Sequence, residues 1–232
     1  MGEFGTISTL PGSYGEHVLQ ERYDTTQRAR SFYDRQVLDH LNPKMREFVA
    51  RQEMVFVATA DGAGECDCSF RAGESGFIHV IDERSLAYPE YRGNGVHASL
   101  GNISENGHVG LLMVDFVHDL IGLHVNGAAR IVEAAGFAAA FPRLPQDAER
   151  GRRAERWVVV EVEEAYIHCR KHIPRMERVH EKREWGTDDP GRKGGDYFRA
   201  KATPRWRPRP QPGRKRFPST THLSGGVARA LR

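Results

Sequence analysis

Residues 55–70 read VFVATADGAGECDCSF, two alternating runs joined through Asp61-Gly62, and this hairpin constrains the fold more than any other segment. Successive side chains of a strand point to opposite faces, so alternation commits a segment to a half-buried sheet. Asp-Gly suits the tight turn between two such runs. Further strand-like runs follow at 77–82, 85–88, 108–116, 121–132 and 156–169, with helical patterning only near 97–105 and 134–141. Strands joined by tight turns with few crossover helices predict an antiparallel barrel or sandwich rather than a parallel α/β sheet.

Ahead of the hairpin, Val18, Leu19 and Tyr23, then Phe32, Tyr33, Val37, Leu38 and Leu41, recur at helical spacing, and Asn42-Pro43 reads as the cap and first position of another helix. The chain is therefore expected to comprise an N-terminal helical arm (1–44), a barrel domain (45–174) and a charged C-terminal extension (175–232). The net charge of +3 hides an asymmetry: from Phe198 onward there are ten Lys or Arg and no acidic residue, leaving 24 basic against 31 acidic residues, or −7, elsewhere. The basic character belongs to the extension, which is expected to be solvated; Trp206 and Phe217 within it offer nucleic acid a weak invitation. No run approaches the length needed to cross a bilayer and the start lacks a signal-peptide pattern, so a cytoplasmic protein is expected. Three cysteines are too few for a disulfide framework; Cys66, Cys68 and Cys169 read as reduced thiols, the first two packed as small hydrophobes. Cys66-x-Cys68 with His168-Cys169-x-x-His172 lacks the usual spacing of a structural zinc site, and no metal is expected.

The most informative block is SLAYPEYRGNGVHASLGNISENGHVGLL, residues 85–112, which sets a Tyr-Arg-Gly-Asn turn between a strand and a helix start. Orphan amides at a helix start, with Arg92 beside them, suit a phosphate. In ECDCSFR, Cys66, Cys68 and Phe70 point one way and Asp67, Ser69 and Arg71 the other.

With Ser-Phe-Arg at 69–71, Val-Asn-Gly-Ala-Ala-Arg at 125–130 and Glu-Glu-Ala-Tyr-Ile-His-Cys at 163–169, this block resembles the flavin-binding split barrels related to pyridoxamine 5'-phosphate oxidase. The resemblance spans roughly Met45 to Pro174. It implies an antiparallel split β-barrel with flanking helices, a homodimer, and FMN held between subunits. It also implies a cofactor cradle: Ser69, Phe70 and Arg71 on one strand, Tyr88 and Pro89 by backbone and ring, then Tyr91, Arg92, Gly93, Asn94, Ser99 and Asn102. The chain departs from the family pattern at Phe70, where relatives carry a small residue or Pro. It departs again at Gly95, Val96 and Ala98, where they carry a basic pair and then an acidic residue. Each missing cation removes a charge-assisted bond of about 1.5–3 kcal/mol from a phosphate, which predicts weakened flavin affinity or a changed ligand.

The function the resemblance implies is an FMN-dependent oxidoreductase acting on a small organic substrate. The flavin would carry the hydride chemistry, so no side-chain nucleophile is needed. Alternatives on the same barrel are deazaflavin, haem with His118 or His124 as axial ligand, and a flavin-binding protein without turnover.

Overall fold

The computed structural model describes residues 10–149, 151–179 and 184–203. The chain divides into two compact units, Met1–Thr187 and Asp188–Arg232. In the second, turns dominate: the Asp189 carboxylate accepts the N–H groups of Gly191 and Arg192, and Asp196 those of Ala200 and Lys201. Trp206 and Phe217 lie outside the described residues.

The first unit opens with α1 (Tyr14–Arg22), α2 (Thr26–Gln36) and α3 (Pro43–Ala50). A capping box, Ser13 with Glu16, starts α1, and the Asn42 side chain accepts the Met45 N–H at 2.9 Å to start α3. The helical spacing that continues to Leu41 does not extend α2. Val37 turns to extended backbone, and Leu38 exchanges both backbone hydrogen bonds with Ala165. Sheet pairing overrides the local pattern there.

Seven strands follow: β1 (Met54–Ala60), β2 (Cys66–Ala72), β3 (His79–Val80), β4 (Ser85–Glu90), β5 (His108–Val114), β6 (Gly122–Glu133) and β7 (Arg156–His168). They form one antiparallel sheet in the order β2-β1-β5-β6-β7-β4-β3. The sheet does not close, so the architecture is the split barrel that the resemblance implies. Hairpin β1–β2 pairs Val57 with Ser69 and Thr59 with Asp67. Pro89 is tolerated in β4 because β3 pairs only with Leu86 and Ala87, which leaves Pro89 on an edge where its missing N–H breaks no ladder bond. Between β6 and β7 a bulge at Asn126/Gly127 brings backbone so close that a side chain at Gly127 would collide with the Glu161 carbonyl oxygen.

Alternation divides the apolar side chains between two layers. Val55, Val57, Leu86, Tyr88, Leu111, Met113, Val125, Val158 and Val160 fill the barrel, and Leu100 and Ile103 of α4 (Ala98–Glu105) join them. Outside, Ala87, Trp157 and Val159 pack under Phe137 of α5 (Ala134–Ala140). There the Trp157 ring stacks on Phe137 at 4.2 Å and on His79 at 4.9 Å between centroids. No helix among the described residues is long and apolar enough to cross a membrane.

Candidate functional site at the barrel seam

The split lies between the β2 side and the β4 side of the sheet, and a polar cluster spans it. From β2, Asp67, Ser69 and Arg71 face the barrel, opposite Thr59, Val57 and Val55 of β1. From β4, Glu90 follows Tyr88 on the inner face, and from α4 comes Ser99. Arg71 Nε donates to Glu90 Oε1 at 2.8 Å, Nη1 to the Phe70 carbonyl at 3.1 Å and Nη2 to Ser99 Oγ at 3.2 Å. Ser99 Oγ bonds Ser69 Oγ at 2.8 Å, and Ser69 Oγ donates to Asp67 Oδ2 at 2.7 Å. One turn along α4, Asn102 donates to the buried Thr59 hydroxyl at 3.0 Å and ties the helix to β1.

Ser69, Arg71 and Ser99 therefore meet in one cluster, with Asn102 beside it. Tyr88 sits deep in the barrel. Its hydroxyl has no hydrogen-bond partner among the described residues, and burial, then the charge of Glu90, pushes its pKa well up. Phe70 is on the outward face, half-exposed against Phe56 at 5.5 Å between ring centroids. Arg92, Gly93 and Asn94 form an exposed turn in which Asn94 Oδ1 accepts the Val96 N–H. Pro89 and Tyr91 face away from the cluster and line a cavity of about 670 Å³ under α5, together with His79, Trp157 and Arg152. Burial there raises the Tyr91 phenol to about 12 and lowers the His79 imidazole.

Cys66 and Cys68 do not pack as small hydrophobes. Both are exposed on the outward face of β2, as is Cys169 beyond β7. Alternation separates two faces without saying which one turns inward, and here the polar one does. Among the described residues no three His, Cys, Asp or Glu are grouped to hold a metal. His118 is exposed on its loop. His124 has a partner that sequence reasoning missed: its Nε2 lies 3.1 Å from His168 Nδ1, with the ring stacked on Tyr166. Burial, then the neighbouring His168, lowers the His124 pKa. Asp67 and Glu90 were also missed as site residues, although period two from Ser69 and from Tyr88 reaches both.

A cluster of hydroxyl, guanidinium and carboxylate groups let into an apolar barrel, beside an orphaned phenol, fits a hydroxyl-rich ligand of the kind the side chain of a flavin provides.

No curated protein gives a significant match to the chain. Among solved structures, HupZ of Group A Streptococcus is 21% identical over 53% of this chain and 90% of its own, with a TM-score of 0.39. An FMN-binding protein from Syntrophomonas wolfei is 15% identical over 67% of this chain and 97% of its own, at 0.41. HutZ, the haem storage protein from Vibrio cholerae, is 15% identical over 55% and 94%, at 0.38. At such similarity these structures bear on neither ligand nor activity. The family model for pyridoxamine 5'-phosphate oxidase matches residues 41–169, more than half of the chain and the whole of the seam just described. The chain belongs to the pyridoxamine 5'-phosphate oxidase family.

Proposed function

We propose that this protein holds FMN at the barrel seam and is an FMN-dependent oxidoreductase acting on a small organic substrate. The observation that carries this reading is the cluster of Asp67, Ser69, Arg71, Glu90 and Ser99, polar groups gathered at the opening of an otherwise apolar barrel. A bound flavin supplies hydride transfer. The chain's part is to grip and orient: Ser69 and Ser99 meet the ligand's polar chain, Asn102 fixes α4 against β1, and Arg92, Gly93 and Asn94 offer a solvated turn at its end. In this reading residues 45–174 are the flavin-binding unit, between the arm of 1–44 and the extension of 175–232. The exposed Phe70, resting on Phe56 on the outward face of the hairpin, supports a homodimer that covers it. Three thiols without disulfide partners support a cytoplasmic setting.

The His124–His168 pair favours a second reading, haem. Burial, then the neighbouring His168, lowers the His124 pKa and so favours the neutral imidazole that iron ligation needs.

The test is the visible spectrum of the purified protein, before and after FMN and desalting, with Ser69→Leu to block the cluster. Flavin retained by the native chain and lost from the variant supports the flavin reading; flavin in neither preparation overturns it. A Soret band with haemin that His124→Ala abolishes supports haem instead.

A further inference from the structure

We propose that Asp67 and Glu90 tune the seam to ligand hydroxyl groups and against phosphate, so that the site grips a flavin by its ribityl chain and scarcely distinguishes FMN from riboflavin. This rests on the flavin reading above and concerns which part of the ligand is recognised.

The argument is the direction of the hydrogen bonds. A guanidinium can only donate and a carboxylate can only accept, so the chain between Arg71 and Asp67 runs one way. Arg71 Nη2 donates to Ser99 Oγ, whose own hydrogen must go on to Ser69 Oγ, and the Ser69 hydrogen goes to Asp67 Oδ2. Neither serine keeps a hydrogen for a phosphate oxygen. Both keep lone pairs, as do the carboxylates, and lone pairs receive O–H groups.

Arg71 commits three of its five N–H groups, to Glu90, the Phe70 carbonyl and Ser99, and keeps one on each Nη. Two parallel N–H bonds from one guanidinium edge grip a phosphate, and here the Nε end of that edge is held by Glu90 and the Nη2 end by Ser99. Glu90 is 9% exposed, so little solvent screens its charge from an incoming anion. One guanidinium stands against two carboxylates, a local −1 that repels a phosphate and leaves a neutral polyol unaffected. Residues 95–98, Gly-Val-His-Ala, add no Lys or Arg at the start of α4. Arg92 lies on the exposed turn, where a phosphate contact is screened by water and counts for little.

The experiment titrates riboflavin and FMN, each by quenching of its own fluorescence, into the native chain and into Glu90→Gln and Asp67→Ala. The quantity read is the ratio of the two dissociation constants, which a merely structural loss would not move because it weakens both ligands alike. In the native chain the two constants fall within about threefold of each other, because the paired Nε/Nη2 edge of Arg71 is taken and the two carboxylates offset what a single remaining N–H contact adds. Glu90→Gln frees Arg71 and removes a repelling charge, shifting the ratio about tenfold toward FMN; Asp67→Ala releases the Ser69 hydrogen and shifts it the same way. A native chain that binds FMN more than about tenfold tighter, with a ratio that neither variant changes, overturns the proposal. Binding of neither flavin to the native chain overturns the flavin reading itself, and the proposal with it.

Discussion

The Arg71–Glu90 pair should act as a fastener, because it joins two strands that share no ladder: β2 lies at one edge of the sheet, and β4 lies five places away. The side chains are 21% and 11% exposed, and the Nε to Oε1 distance is 2.8 Å. At an effective dielectric near 20, two charges about 4 Å apart attract by about 4 kcal/mol. Desolvation of both groups takes back about half, leaving a coupling of about 2 kcal/mol. Glu90→Ala should therefore cost about 2 kcal/mol. Arg71→Ala should cost about 3 kcal/mol, because it strands a nearly buried carboxylate and also removes the bonds to Ser99 and the Phe70 carbonyl. The double variant should cost no more than Arg71→Ala alone, since losing Glu90 relieves the stranded charge. Equilibrium urea unfolding of the native chain, both single variants and the double variant closes the cycle. If the single effects add to within about 0.5 kcal/mol, the two side chains are energetically independent and the fastener does not exist.

Three further outcomes follow from the packing. Gly127→Ala forces a methyl group into the Glu161 carbonyl at the β6–β7 bulge and should cost about 3 kcal/mol, read as a fall of several degrees in melting temperature; an unchanged melting curve would show that the bulge relaxes freely. Tyr88→Phe removes a buried hydroxyl without a partner among the described residues and should stabilise the ligand-free protein by about 1 kcal/mol, whereas a loss of that size would mean that the hydroxyl is bonded in solution. Burial holds His79 and His124 below the ordinary histidine value, so the unfolded chain takes up protons first as pH falls. Stability should be full above about pH 6.5 and decline toward pH 5, seen as a falling urea midpoint, and the double substitution His79→Asn, His124→Asn should flatten that slope.

Much of the barrel was legible because its cause is local. Alternation in 55–60 and 66–70 marked the hairpin, and Asn42-Pro43 marked the start of α3. The break at Val37 and Leu38 was not legible, because Leu38's partner, Ala165, is more than a hundred residues away and only the assembled sheet offers those backbone bonds. The two faces of β2 were separable, but which one turned inward was misjudged. The inward face is the polar one because Glu90 and Ser99, brought across the seam from β4 and α4, satisfy its guanidinium and hydroxyl groups. Period two also implies that Tyr88 and Pro89 face opposite ways, Tyr88 into the barrel and Pro89 toward the cavity under α5. The layer under α5, where His79, Trp157 and Phe137 stack, carries no local sign, since its members come from three elements far apart in the chain.

The bond pair between Leu38 and Ala165 gives the arm a protective part to play. Strand β4 partners β7 only from Arg156 to Glu161, so beyond that point the rim of β7 would offer free N–H and C=O groups as a template for another chain. Leu38 occupies that rim. A chain cut just after it would expose a sticky edge and assemble into larger species as its concentration rises, so the arm guards solubility whatever the seam binds.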